Sequence, residues 1–229
     1  MFSEKPRVAL VDFGLGNLHN VKRACAHVGL DAGITSDPAA VRAADAVVLP
    51  GVGAMPEAMR ALDAAGLSDV LRDIAACGTP LLGICLGLQL LMSEGTEFTS
   101  HSGLGIFEGT VVRFPRFTSD GSTLKVPHIS WSPIAPPDDR PEAWNGTLLA
   151  TTRPGTQMYF VHSFHAVPAD PGLVVAVASY NDIPFVAAIA RDNVMACQFH
   201  PERSGPEGLE IYRQFANRII SPAAKLGAQ

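Results

Sequence analysis

Apolar residues in the first half of the chain fall in short continuous runs, separated by longer stretches in which they recur with helical spacing. Runs of that kind suit strands buried on both faces, and the stretches between them suit helices packed on those faces. The predicted strands are Val8 to Asp12, Gly33 to Thr35, Ala46 to Leu49 and Pro80 to Ile84. Met55 to Ala76 reads as one helix, with Met59, Leu62, Val70, Leu71 and Ile74 on a single apolar stripe. This βαβα alternation predicts an α/β fold with a mostly parallel, doubly wound central sheet and flanking helices. From Gly105 to Phe199 the pattern changes to strands and turns, among them Ile106 to Phe114, Leu173 to Val177 and Val194 to Phe199. Pro206 to Ile220 closes the pattern as a helix, with Leu209, Tyr212, Phe215 and Ile219 facing inward. There is no internal repeat. The most linker-like loop is Pro133 to Glu142, rich in Pro and Asp, and a single domain over residues 1–229 is the simpler expectation.

Composition removes several classes of function. A chain of 229 residues is long enough for one large α/β domain with a substantial core. A net charge of −5 with 17 Lys plus Arg leaves no basic footprint for nucleic acid or an anionic membrane. The 21 glycines and 18 prolines predict many turns rather than disorder. Cys25, Cys77, Cys85 and Cys197 have spacings that fit neither a disulfide framework nor a Cys-x-x-Cys zinc site, so Cys25, Cys77 and Cys197 read as buried packing residues. Met1 to Arg7 is polar and shows no secretory leader, which predicts a cytoplasmic protein. Ile74 to Ser93 carries no charge, but Gly78, Pro80, Gly83, Gly87 and Gln89 break it into helix end, strand, turn and helix rather than a membrane span. Asn145-Gly146-Thr147 then reads as a turn, not a glycosylation acceptor.

Two segments carry chemistry. Thr79 to Ile84 is a buried strand and Leu86 to Met92 opens a helix, with Gly83-Ile84-Cys85-Leu86-Gly87 at the turn between them. A cysteine there, with glycines two before and two after, follows the logic of the Gly-x-Ser-x-Gly nucleophile elbow, and the helix dipole favours thiolate. Taken alone, this fits an elbow and a buried packing cysteine equally well. Far downstream, Val194 to Phe199 ends in His200-Pro201-Glu202, an imidazole with a carboxylate two residues on that can fix its tautomer. Together they read as a cysteine acyl-transfer site. A rival reading is a nucleotide-binding module, because Gly14-Leu15-Gly16 follows a strand with Asp37 further on. The third glycine position is His19, however, so the segment reads as a tight turn and no cofactor is expected. His19, His27, His101, His128 and His165 are bland by default, and their spacing suggests no metal site.

These motifs make the chain resemble the class I (triad-type) glutamine amidotransferases from Val8 to about Ile220, with a flavodoxin-like fold. Within that family it looks like the glutaminase subunits of imidazole glycerol phosphate synthase. The resemblance rests on Asp12-Phe13-Gly14-Leu15-Gly16-Asn17-Leu18, Leu49-Pro50-Gly51-Val52-Gly53-Ala54 and the Cys85 segment. It continues in Val126-Pro127-His128-Ile129-Ser130-Trp131, Tyr159-Phe160-Val161-His162-Ser163-Phe164 and Gln198 to Gly205. The branch commonly has Gly, Asn and Lys where this chain has Ser130, Ser132 and Arg203, which touches the partner interface and not the triad.

The resemblance implies a Cys85–His200–Glu202 triad that hydrolyses L-glutamine through a γ-glutamyl thioester. Leu86, directly after the nucleophile, is the first candidate for a backbone oxyanion donor by elbow geometry. Val52 is the second by resemblance alone; without it, Gly51-Val52-Gly53 reads as an ordinary turn. Gln89, one helical turn past Cys85, has an amide that reaches the same pocket. By resemblance Gln89, Gly51, His162 and Ser163 contact or border the glutamine. No metal is implied. Ammonia is mostly ammonium in neutral water, so the product must be delivered shielded from solvent. The implied recipient is a (β/α)₈ cyclase subunit that forms a heterodimer with the chain in histidine biosynthesis. The alternatives are the glutaminase subunit of anthranilate or aminodeoxychorismate synthase, which usually has His in place of Leu88, or a stand-alone γ-glutamyl hydrolase.

Overall fold

The computed structural model describes residues 6–220; the polar start read above as lacking a leader (residues 1–5) and residues 221–229 lie outside it. The chain runs β1 (Arg7–Val11), α1 (Leu18–His27), β2 (Asp31–Thr35), α2 (Pro38–Arg42), β3 (Ala46–Gly51), α3 (Met55–Ala64), α4 (Leu67–Ala76), β4 (Leu81–Cys85) and α5 (Leu86–Leu90). Then come β5 (Met92–Gly95), β6 (His101–Ser102), β7 (Phe107–Arg113), β8 (His128–Pro133), β9 (Gln157–His162) and β10 (Phe164–Pro168). β11 (Val174–Tyr180), β12 (Ile183–Arg191), β13 (Val194–Cys197) and α6 (Gly205–Ile220) end the fold.

The central sheet has the order β11-β12-β13-β4-β3-β1-β2. Its pairs from β13 to β2 are all parallel, whereas β12 and β11 join antiparallel. The parallel part has the flavodoxin-like order, in which ligands bind beyond the carboxyl ends of the strands. Strand alternation divides the core in two. Leu10, Val48, Leu82 and Ile84 pack with α1 and α6 through Val21, Ile211, Tyr212 and Phe215. Val11, Val47, Leu49 and Leu81 face the other way, onto Leu62, Leu71 and Leu88. The expected doubly wound α/β fold is therefore present. Among the described residues no helix is long and apolar enough to cross a membrane.

Four local expectations are corrected. The single helix predicted over Met55 to Ala76 is two, because Gly66 adopts φ 67°, a left-handed conformation that ends one helix and starts the next. The stripe survives the break, with Met59, Leu62, Val70, Leu71 and Ile74 all buried. The helix after Cys85 stops at Leu90, before Met92, because its following carbonyls are claimed by other segments. Leu104 N–H donates to Leu90 O at 2.8 Å and Phe107 N–H to Leu91 O at 2.9 Å, which draws Met92 into β5 beside β7. Cys77 is exposed at the end of α4, not buried. Finally, 133–142 is tied down rather than linker-like: Ile134 is fully buried, and the Arg140 guanidinium donates to the carbonyls of Pro171, Gly172 and Val174.

The turn into α5 depends on two close approaches. A Cβ on Gly83 would lie 2.9 Å from the Ala196 Cβ and 3.1 Å from the Gly87 carbonyl carbon, and one on Gly87 would overlap the Leu49 carbonyl oxygen. Gly87→Ala is therefore expected to cost at least about 2–3 kcal/mol or to prevent folding. Gly33→Ala, where a Cβ meets nothing within 4 Å, should change stability by no more than about 0.5 kcal/mol. Denaturant unfolding of the two variants checks the contrast.

Candidate active site

Three neighbouring strands end at one edge and bring the predicted residues together. Gly51 at the end of β3 pairs directly with Cys85 at the end of β4, and Cys197 at the end of β13 pairs with Ile84. Cys85 has φ 55°, a left-handed conformation unusual for a residue with a side chain. That strain, between a buried strand and a short helix, is the hallmark of an elbow and argues against a mere packing cysteine.

His200 lies three residues past β13, its backbone fixed from both sides. His200 N–H donates to Tyr159 O at 2.9 Å, and the Ser204 hydroxyl donates to His200 O at 2.7 Å while accepting from Tyr159 N–H at 3.0 Å. The ring Nδ1 and Glu202 Oε1 are 2.8 Å apart, with both side chains almost wholly buried. Nε2 has no hydrogen-bond partner among the described residues. Burial by itself disfavours the imidazolium, but the charge of the adjacent Cys85 sulfur and the Glu202 carboxylate outweigh it and raise the pKa to about 10.

A cavity of about 280 Å³ opens above the sulfur, lined by Cys85, Leu86, Val52, Gly53, Gln89 and Glu97 on one side. The opposite wall is Pro127 and the segment from Val161 to Phe164. Leu86, Val52, Gln89, His162 and Ser163 share one cavity with Cys85. Gly51 does not line it; it lies behind, against Leu86 and Phe13. Glu97, the one carboxylate on the wall, carried no signal in the sequence. Its Oε2 also accepts from Met55 N–H at 2.9 Å, at the start of α3.

Two features of the wall went unread in the sequence. Gln89 is not free: its Nε2 donates to Phe164 O at 2.9 Å and to Gln198 Oε1 at 3.1 Å, and Gln198 Nε2 donates to Cys85 Sγ at 3.6 Å. His128, expected to be bland, is fully buried and joined to His162. His162 Nδ1 lies 2.8 Å from Phe164 O, His162 Nε2 lies 3.3 Å from His128 Nδ1, and His128 Nε2 lies 3.1 Å from Ser132 Oγ. A carbonyl only accepts, so His162 carries its proton on Nδ1 and accepts on Nε2. His128 must then donate from its own Nδ1 and accept from Ser132. Burial favours the neutral form of both rings. A signal for Gln198 did exist: an amide inside the apolar run Val194 to Phe199 has to find buried partners.

A profile of the family "Glutamine amidotransferase class-I" matches residues 9–219. The chain belongs to the class-I glutamine amidotransferases. This amidotransferase is 44% identical over 211 residues to the "Imidazole glycerol phosphate synthase subunit HisH" of Syntrophotalea carbinolica, covering 92% of this chain and 99% of that one. It is 45% identical over 213 residues to the protein of the same name from Aromatoleum aromaticum, covering 91% and 96%. A solved structure of PurLQS from Thermotoga maritima shares the fold, with a TM-score of 0.67 at 19% identity over 93% and 98% of the two chains. The amidotransferase has no group of His, Cys, Asp or Glu able to hold a metal ion among the described residues.

The buried histidine pair makes the amidotransferase acid-sensitive. Burial, opposed in His162 by its bond to the Phe164 carbonyl, pushes His162 down to about 3, and burial pushes His128 down to about 4, from 6.5. Below pH 6.5 the unfolded chain takes up protons that the folded chain refuses, so the unfolded state binds more protons. Stability therefore rises with pH between about 4 and 6.5 and is lost as pH falls through that window, by up to about 1.4 kcal/mol per pH unit for each ring. Denaturant unfolding across the window, with the imidazole resonances followed by NMR, checks this. Rings that titrate near 6.5 in the folded chain would contradict it.

Proposed function

We propose that this chain is the glutaminase of an imidazole glycerol phosphate synthase, a cytoplasmic single-domain subunit that hydrolyses L-glutamine and passes the ammonia to a (β/α)₈ cyclase in histidine biosynthesis. The observation that carries the chemistry is the strained Cys85 turn beside the buried His200–Glu202 pair. The specific pathway is supported by relatives of that name that align along almost their whole length.

The Cys85 thiolate attacks the side-chain amide carbon of glutamine and forms a tetrahedral oxyanion. The backbone N–H of Leu86 and that of Val52 are the proposed donors to it. The His200 imidazolium gives its proton to the leaving nitrogen, ammonia departs, and a γ-glutamyl thioester remains. Water then attacks the thioester carbon, His200 takes its proton, and the carbon–sulfur bond breaks to release glutamate. Glu202 holds Nδ1–H throughout, so that Nε2 is the atom that exchanges protons. Glu97 suits the α-ammonium of the substrate, as the carboxylate of the cavity wall. Beside the cavity, Ile129 pairs with Val161 and is exposed, as is Trp131, two residues along the same strand. Exposed apolar residues so close to the site suit a docking face for the synthase partner.

Cys85→Ser is expected to lower glutamine-dependent synthesis by the complex about 10³-fold or more while ammonia-supported synthesis stays near normal. His200→Ala should remove nearly all turnover, and Glu202→Gln should hurt less, because it orients and stabilises without transferring a proton. Steady-state assays with glutamine and with ammonium salt separate the cases. Substantial glutaminase activity in Cys85→Ser would end the assignment.

The isolated chain is expected to be a poor glutaminase that its partner switches on. Gly53 has φ 100°, and the flanking glycines leave the Val52 peptide free to reorient. A second donor that is swung into place only on docking would account for a rise of about 10²–10³ in rate. Such coupling requires the partner, with its acceptor substrate bound, to favour the active arrangement. Glutamine hydrolysis by the chain alone, by the complex, and by the complex with its acceptor is the measurement. Equal rates in all three would refute the switch and leave the triad standing.

A further inference from the structure

We propose that Gln198 is a further catalytic residue, whose side-chain amide donates a hydrogen bond to the Cys85 sulfur and holds it as the thiolate. The inference rests on Cys85 being the nucleophile. Gln198 has no solvent contact and sits just past β13 between the buried Cys197 and Phe199. A buried amide without partners is costly, so its two polar atoms must be satisfied locally. They are, by Gln89 at 3.1 Å and by the Cys85 sulfur at 3.6 Å.

Shape alone does not tell an amide nitrogen from its oxygen; the network does. The Phe164 carbonyl can only accept, and it lies 2.9 Å from the Gln89 amide, so Gln89 turns its NH₂ toward it. The second hydrogen of that NH₂ points to Gln198, which must answer with its oxygen. The Gln198 NH₂ is then left facing the sulfur. Reversing Gln198 would set two NH₂ groups against each other and a carbonyl oxygen against the lone pairs of the sulfur. His162 Nδ1–H, also 2.8 Å from the Phe164 oxygen, helps hold that carbonyl in place.

A donor at this distance is weak toward a neutral thiol and strong toward a thiolate, so it shifts the balance to the anion. It also acts beside His200 in the second half of the reaction. When water attacks the thioester, its proton goes to His200, the carbon–sulfur bond breaks, and the electron pair returns to sulfur. Gln198 still donates at that moment, and the departing sulfur is received as a stabilised thiolate.

The test is the pH dependence of iodoacetamide alkylation at Cys85, located by mass spectrometry, in a Cys77→Ser background that removes the exposed thiol. Gln198→Met keeps the volume and loses the donor; its alkylation midpoint should rise by about one pH unit, the size of one hydrogen bond to a charged group. Gln198→Glu, nearly isosteric, should raise it further. Thermal unfolding reports whether each variant is folded, since a packing role alone would lower the melting temperature and leave the midpoint in place. In the unmutated chain, the Gln198 side-chain amide resonance should move with the same midpoint as alkylation, which decides the matter even if neither variant folds. Unchanged midpoints in folded variants, or an amide resonance indifferent to the thiol, would overturn the proposal. A wild-type Cys85 that does not react as a thiolate at neutral pH would instead sink the nucleophile reading.

Discussion

Where α5 leaves the Cys85 turn, the Gly87 backbone is pressed so close to the Leu49 carbonyl that no side chain fits between them. Everything at the site follows from that approach. It sets the helix directly on the end of β3, so the Gly51–Gly53 loop and the elbow share one floor. It also forces the turn to be made in a single residue, which is why Cys85 carries a left-handed φ. A conformation of that kind costs about 1–3 kcal/mol. Leu86, Leu88 and Leu90 are all buried on the short helix that follows, and burying even one leucine contributes about 1.5–3 kcal/mol. The packing of α5 therefore holds the nucleophile in a geometry its own backbone would not choose.

The polar side of the site is organised by the Phe164 carbonyl, which receives Gln89 and His162 together. From it run two chains of fixed polarity, one through Gln198 to the sulfur and one through His128 to Ser132. The contrast between His200 and the other two rings shows how neighbours decide charge in one protein. All three are buried. His162 and His128 face Phe114, Phe160, Phe185 and each other, with no carboxylate or anion beside them, so desolvation outweighs the Phe164 carbonyl bond of His162 and both are pushed down. His200 has a carboxylate on one side and a sulfur on the other, and is pushed up. The cationic ring stands where protons must move, and the neutral pair stands behind the wall.

Much of this was legible in the chain itself. Continuous apolar runs sufficed for the parallel strands, since burial on both faces leaves no polar position to blur them. Cys85 and His200 were findable because each sits where such a run stops abruptly. The errors share one cause, the influence of distant segments. Leu90 and Leu91 look helical until the backbone N–H groups of Leu104 and Phe107 take their carbonyls. Gly66 was visible inside the helix pattern, but a lone glycine is tolerated in helices, and only its left-handed φ reveals the break. His128 and Glu97 reach the site through β8 and the loop after β5, whose placement no local periodicity encodes. Gln198 is the instructive omission, because a polar side chain in a buried strand signals a partner before the partner is known.

The same reasoning explains why this cysteine, among four, carries the chemistry. Cys25 lies on the buried face of α1, where burial pushes its thiol up to about 12. Cys197 is adjacent in space to the site, yet full burial and the nearby Glu202 and Cys85 charges also push it up. Its sulfur donates to the carbonyls of Gly83 and Phe199, acceptors that favour the protonated form. Cys77 is exposed, but its neighbours are Thr79 Oγ1 and the Ile74 carbonyl, with no cation or committed donor. Accessibility without an electrostatic partner leaves a thiol without activation, and burial among acceptors disfavours the thiolate. Cys85 alone combines an imidazolium, an amide donor of fixed polarity and an open cavity above the sulfur. Reactivity here is a property of the surroundings that the elbow holds in place, and a thiol one residue before Gln198 cannot acquire it.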